Sequence, residues 1–288
     1  MTHLKAWQAD ILLLTVAFIW GTTFVIVKNA LQGITPFIFL AVRFLIAFVF
    51  LYVIYRPGFR ILKKPILLAG SAIGVFLFAG YAFQTVGLQY TTASNTGFIT
   101  GLSVILVPFF SIFITRQLPN FYVLSGALLA AGGLALLTLS PNLAFQKGDV
   151  LVFFCACSFA LHIIFVGRYA NQHDPTLLAM VQILLVGLLS TMMTVVSPQE
   201  GLPHSWTGEL WWALGITAIL ATSLAFLIQN SVQRYTSPSR TAIIFATEPV
   251  FAALTAYTYG GEELTSRALL GAALVLAGIL LAELKGSS

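Results

Sequence analysis

The sequence predicts an all-α integral membrane protein: ten transmembrane helices arranged as two inverted five-helix repeats, with both termini in the cytoplasm. Three observations predict it: the composition, the spacing of the apolar runs, and an internal repeat. The chain has 288 residues, of which 59% are hydrophobic and 8% charged. An ordinary soluble domain is about a quarter charged. A soluble fold of this length would lack the charges to cover its surface. A cytosolic globular enzyme, a disordered chain and a secreted disulfide scaffold are excluded together.

A membrane-spanning helix needs about 20 mainly apolar residues. Ten such runs occur: 11–31, 35–55, 65–88, 93–115, 120–139, 148–168, 175–197, 209–231, 238–259 and 266–284. Pro36, Pro65, Pro175 and Pro238 stand at or near first turns, where a missing N–H costs nothing. The longest stretch outside the runs is 198–208, so no loop holds a soluble domain. Lys5 precedes a long apolar stretch with no small-x-small cleavage site, which reads as a first membrane helix and not a removable signal. Cys155 and Cys157 lie two apart within one run, point to different sides of a helix, and read as small buried residues.

Lys and Arg set orientation. With the N-terminus inside, the cytoplasmic loops carry Lys5, Arg56, Arg60, Lys63, Lys64, Arg116, Arg168, Arg234, Arg240 and Lys285. The opposite side carries only Lys28, Lys147 and Arg267, which also argues against nucleic acid as the partner of the basic charge. The remaining cation, Arg43, lies inside the second run.

The chain repeats itself. Shifting residues 10–55 by 139 aligns Asp10 with Asp149, Trp20 with Phe159, Thr35-Pro36 with Asp174-Pro175, and Arg43 with Gln182. Shifting 84–140 by 145 aligns Gln84 with Gln229, Tyr90-Thr91 with Tyr235-Thr236, Gly126 with Gly271 and Gly133 with Gly278. The expected units are 10–140 and 148–284, five spans each. Five is odd, so the halves enter the membrane in opposite directions. Inverted repeats of this kind favour alternating access, with a site near the midplane between the halves. Duplication that merely enlarges a bundle is the alternative.

Charge is expensive inside a bilayer, at about 2.5–3.5 kcal/mol on insertion scales. Arg43 lies about 10 Å into the second helix at 1.5 Å per residue. It either binds an anionic group or braces helices through backbone carbonyls. Glu248 is followed by Pro249, which frees a carbonyl around Phe245. The pair of features suits a proton, a cation or an amine; a buried structural carboxyl paired with Arg43 is the alternative. Lys28 ends the first helix and reads as a residue snorkelling to the surface. His162 shares a face with Cys155 and Ser158 and reads as a hydrogen-bonded core residue or a proton relay.

Uncharged polar residues gather at comparable depth. Trp20-Gly21-Thr22-Thr23 is expected to interrupt the first helix. Tyr81 and Gln84 lie in the third, Asn95, Thr96, Thr100 and Ser103 along the fourth, and Gln229 with Asn230 late in the eighth. They either bond between helices or line a polar pathway. The candidate pathway set is therefore Trp20, Thr23, Arg43, Tyr81, Gln84, Asn95, Thr100, His162, Gln229 and Glu248. The fifth and tenth helices instead carry small-residue stripes (Gly126, Ala130, Gly133; Gly271, Gly278), expected to serve as scaffold or as a homodimer contact.

Trp20-Gly21, Arg43-Phe44, Ala93-Ser94, Glu248-Pro249 and the glycine-rich fifth and tenth helices, in this order and spacing, resemble the drug/metabolite transporter (DMT) superfamily, specifically the EamA-type ten-helix transporters. The resemblance spans about residues 11–284. It implies a multi-pass carrier of the bacterial inner membrane that moves small metabolites, often as an exporter of amino acids or related compounds. Arg43 and Glu248 carry over as family-like positions. One departure stands in the first half, where Pro108 lies four residues past the slot matching Pro249.

The leading expectation is a secondary transporter of a small-molecule substrate, with proton coupling as an option and no cofactor. No G-x-x-x-x-G-K-[ST] motif is present, so the chain carries no ATP-binding loop of that kind. No set of His, Cys, Asp and Glu stands at metal-ligand spacing. A membrane-embedded enzyme would need clustered acids, His or Cys, and Glu262-Glu263 is the only acidic pair, in a loop. A channel would need a charged ring or filter. An assembly protein without transport activity is compatible with the small-residue stripes.

Overall fold

The structure is a computed structural model that describes residues 4–56, 62–91, 93–116, 118–138, 146–197, 201, 203, 205–260 and 265–284. The side chains of a few helical residues, Asn95 among them, lie outside the described residues, as does Glu262-Glu263. Among the described residues the fold is helical with no strand. The elements are α1 Ala6–Ala30, α2 Pro36–Ile54, α3 Lys64–Gly87, α4 Ala93–Gly101, α5 Ser103–Thr115, α6 Phe121–Thr138, α7 Lys147–Tyr169, α8 Pro175–Val196, α9 Gly208–Ala218, α10 Ala225–Val232, α11 Pro238–Phe245, α12 Glu248–Gly260 and α13 Ser266–Leu284. A π-helical segment, Ile219–Leu224, joins α9 to α10.

Local chemistry explains the helix starts. Pro36, Pro65, Pro175 and Pro238 all occupy first-turn positions. Asp174 caps α8 by accepting from the Thr176 and Leu177 amides at 2.9 and 3.0 Å. Thr207 accepts from the Leu210 amide at 3.2 Å, and Ser237 from the Arg240 amide at 3.2 Å.

One sequence expectation is corrected by the helix paths. The Trp20-Gly21-Thr22-Thr23 segment does not interrupt α1. Thr22 and Thr23 return their hydroxyl protons to the Phe18 and Ile19 carbonyls at 3.0 and 2.8 Å, so their polarity is satisfied within the helix. The fourth run does break, at Leu102 and not at Pro108, which lies inside α5. The ninth run breaks at Ala246-Thr247, immediately before Glu248-Pro249. Shifted by 145, Leu102 coincides with Thr247, so both breaks fall at one repeat position although only the second half has a proline there.

Among the described residues, seven helices are long and apolar enough to cross a membrane, and Phe121–Leu137 and Ser266–Ala282 are shorter apolar helices. The helices meet in an ordered pattern. α2 lies on α8, α5 on α11, and α6 on α13. α3 packs on α7 and α8, while α1 and α2 pack on the α9–π–α10 unit; α1 also packs on α11 and α12, and α7 on α4 and α5. The closest seam is α6 with α13. A methyl on Gly126 would stand 2.5 Å from the Gly278 carbonyl oxygen, and one on Gly133 would stand 2.5 Å from that of Gly271. Only glycine permits backbones this close. The small stripes are thus used inside the chain and are not free for a second copy. The faces turned outward are apolar: Leu124, Leu128, Leu269, Leu270, Leu276 and Leu280 are all exposed. Such a continuous apolar exterior suits lipid and not water.

Candidate functional site

The centre of the molecule forms where α2, α3 and α7 face α1, the π segment and α10. Phe226 of α10 is its hub, 1% exposed. Ring centroids of Trp20, His162, Phe44 and Tyr81 stand 5.7, 5.8, 6.4 and 6.5 Å from it. Tyr81 also meets Phe44 and Phe159 edge-on at 5.2 and 5.4 Å. Trp20 meets Phe245 at 5.0 Å. Sequence reasoning missed Phe226, since one phenylalanine among 24 carries no mark of its own.

The π segment explains where Arg43 goes. Wide turns leave carbonyls displaced from their regular partners and recur at functional sites. The Trp20 indole N–H donates to the Ala221 carbonyl at 2.8 Å. Arg43 Nε donates to Thr222 Oγ1 at 2.8 Å, and its Nη2 donates to the same Ala221 carbonyl at 3.4 Å. Thr222 and Ser223 hydroxyls bond five residues back, to the Thr217 and Ala218 carbonyls, each at 2.9 Å. The guanidinium lies 5.2 Å from the Tyr81 ring centre and 5.5 Å from that of Phe44. These are the contacts of a helix brace. Arg43 does not pair with Glu248: Asp10–Arg240 is the one ion pair among the described residues.

The predicted site residues divide into two groups. Thr23, Arg43, His162 and Gln229 are sealed, at 6, 4, 3 and 0% exposure. His162 Nε2 lies 2.8 Å from Gln182 Oε1. Gln229 donates to Gln233 Oε1 at 3.1 Å, at the far end of α10. By contrast, Trp20, Tyr81, Gln84, Thr100 and Glu248 are half-buried. Gln84 donates to Thr100 Oγ1 at 3.3 Å, and Thr100 Oγ1 lies 3.7 Å from Cys155 Sγ. Glu248 is within electrostatic reach of both Tyr81 and Cys155. Its carboxyl has no hydrogen bond or ion pair with any described residue.

Gly21 fixes how close Glu248 comes. A methyl on Gly21 would lie 2.5 Å from the Glu248 carbonyl oxygen and 2.8 Å from Phe251 Cβ. The Trp20-Gly21 and Glu248-Pro249 pairs thus meet at the crossing of α1 and α12. Away from this centre, a largely apolar cleft of about 420 Å³ between α2 and α8 is lined by residues such as Ile38, Val42, Leu45 and Thr194, with none of the candidate residues. No three His, Cys, Asp or Glu side chains stand together among the described residues.

Comparison with known proteins matches this arrangement. The model of the EamA-like transporter family matches the chain twice, over residues 7–139 and 146–284. An uncharacterized transporter of Archaeoglobus fulgidus is 38% identical over 98% of this chain and 87% of its own length. The uncharacterized transporter YoaV of Bacillus subtilis is 24% identical over 93% of this chain and 94% of its own. A crystal structure at 18% identity superposes with a TM-score of 0.82, covering 96% of this chain and 97% of that one, and so shares the fold. The chain belongs to the EamA-like transporter family.

Proposed function

We propose that this multi-pass membrane protein is a secondary transporter that moves small metabolites by alternating access. In this reading it exports amino acids or related compounds across the bacterial inner membrane, with both termini in the cytoplasm. The carrying observation is the convergence of half-buried side chains from both halves, Trp20, Tyr81, Gln84 and Thr100 with Glu248, on one interior region.

The packing supports two inverted units, 10–140 and 148–284. Exchanging the halves turns each main contact into another that is also present. The α3–α7 contact becomes α1 against the α9–π–α10 unit, α3–α8 becomes that unit against α2, and α1–α12 becomes α7 against α4 and α5. The contacts α2–α8, α5–α11 and α6–α13 map onto themselves. An arrangement with this exchange symmetry can swap the shapes of its halves, which opens the opposite side. Glu248 is the group a coupling proton would use, since no cation holds its charge. A homodimer would have to form through the outer leucine faces of α6 and α13.

Purified protein in proteoliposomes loaded with radiolabelled amino acids tests the proposal. The expected result is saturable efflux, with counterflow when unlabelled substrate is present outside. Chemically altered solute would point to an enzyme, non-saturating flux to a channel, and no flux with any of the panel to an assembly role.

A further inference from the structure

We propose that Asp10 is a gate switch: it holds Arg240 while its end of the bundle is closed, and passes to the Thr236 hydroxyl when that end opens. This deepens the transport reading and rests on it.

The two ends of the bundle are packed unequally. α1 and α3 run the same way with α2 returning between them, so Asp10 at the start of α1 and Thr91 beyond the end of α3 lie at opposite ends. The contact of the fourth span with the ninth maps onto itself only as a whole. Its two parts, α5 with α11 and α4 with α12, exchange under the 145-residue shift. α5 lies on α11, whereas α4 and α12 touch at only a few points among the described residues. α11 also packs on α6 and α7, and α4 has no comparable contact with their mates, α13 and α1.

Burial follows the packing. Ala242, Ile243, Ile244 and Phe245 of α11 are 1, 1, 2 and 9% exposed. Their mates Gly97, Phe98, Ile99 and Thr100 of α4 are all half-buried, and a methyl on Gly97 would meet nothing within 4 Å. Val107 of α5 is sealed in one apolar cluster with Leu13, Ile164 and Phe245, while its mate Ala252 is half-buried. The bundle is thus closed at the Asp10 end and looser at the other.

The polar contacts differ in the same sense. Asp149, the mate of Asp10, accepts from the Thr91 hydroxyl. The equivalent hydroxyl at the closed end, that of Thr236, is buried with no partner. Asp10 pairs instead with Arg240, whose mate is the neutral Asn95. Exchanging the shapes of the halves gives each end the contacts of the other. Asp10 then takes the hydroxyl that was idle, and Arg240 is released. Arg240 favours the closed end and Thr236 the open one, although both serve one carboxylate. A group that acts in one state only shifts the population by its differential contribution.

Thiol accessibility tests this in the purified full-length protein, with no solute present. Val107→Cys and Ala252→Cys are made singly in a Cys155→Ala/Cys157→Ala background, and their reaction rates with a charged, water-soluble maleimide are measured. In the parent, the position-252 thiol is expected to react faster. R240Q raises the position-107 rate by about two- to fivefold, the range of a partly exposed ion pair, and lowers the position-252 rate. T236V does the reverse, by at least about twofold. Simple loosening of the fold would raise both rates together. Unchanged rates, both rates rising, or R240Q and T236V acting in the same direction overturns the switch. Where R240Q is not monodisperse, T236V decides alone, and a position-107 rate that does not fall overturns the switch. The two proposals fail separately. Opposed rate changes without flux of any solute remove the transport reading alone; saturable flux with unchanged rates removes the switch alone.

Discussion

The two halves of the chain meet in two places, and the two are built differently. Along α6 and α13, glycine lies on the carbonyl of glycine in both directions: Gly126 on Gly278 and Gly133 on Gly271. Under the repeat shift the first contact becomes the second, so this seam is symmetric down to its backbone atoms. At the centre the matching positions carry different chemistry. Arg43 reaches across to the π segment of the other half, while its repeat mate Gln182 stays with His162 of its own half. The closest points of the seam are backbone against backbone. The centre is made of rotatable rings and hydrogen bonds that can break and re-form. The difference teaches that one junction fixes the halves and the other lets them shift.

Breaking the seam has the largest expected effect. Gly133→Val puts a branched side chain where even one carbon stands 2.5 Å from backbone. The cost is more than about 3 kcal/mol, seen as loss of the folded peak in detergent size-exclusion. Gly132→Ala, one residue along and with nothing within 4 Å, is expected to leave that peak unchanged.

The asymmetry at the centre predicts a smaller, unequal pair. Arg43→Met removes a brace that makes two hydrogen bonds to the π segment and is expected to cost about 1–3 kcal/mol. Gln182→Met is expected to cost less, because the Gln182 amide nitrogen is already buried without a partner. Thermal unfolding of both variants in the same detergent checks the order; equal losses would erase the distinction between the halves.

The smallest effect belongs to the Asp10–Arg240 pair, which joins α1 to α11. Its side chains are 15 and 14% exposed. Asp10→Asn is expected to cost about 0.5–1 kcal/mol. The loss should shrink as salt is raised, since screening weakens what the substitution removes. Unfolding of parent and variant at low and high ionic strength measures it.

Much of the fold was legible because lipid permits so few solutions. Long apolar runs, first-turn prolines and paired glycines leave a strong imprint on a sequence, and each run contains helix where it was expected. The breaks were harder to read. Pro249 marks the ninth-span break, but nothing in the identity of Leu102 marks the fourth. Ile219–Leu224 is an ordinary apolar stretch, and its wide turn comes from what surrounds it: Trp20, Arg43 and the Ala47 carbonyl, which lies 3.1 Å from Ser223 Oγ. The site was legible in part for the same reason. Polar residues stand out in an apolar chain, so Trp20, Tyr81, Gln84, Thr100 and Glu248 could be picked by type. Which of the polar residues were sealed, as Thr23, His162 and Gln229 are, depends on contacts between residues far apart in the sequence.

The wide turn also changes how this chain can be read against any other. An α-helix advances about 100° per residue. One surplus residue in a turn therefore rotates every later side chain by about that angle while barely changing the rise. α3 has no such segment, so under the 145-residue shift the residues after the wide turn stay in phase, Tyr81 with Phe226 and Gln84 with Gln229, while those before it do not. Gln84 faces Thr100 in the interior. Gln229 donates to Gln233 instead, since the mate of Thr100 is the apolar Phe245. Letters that line up before the wide turn are out of phase, and a role carried across by that alignment would land about 100° away around the helix.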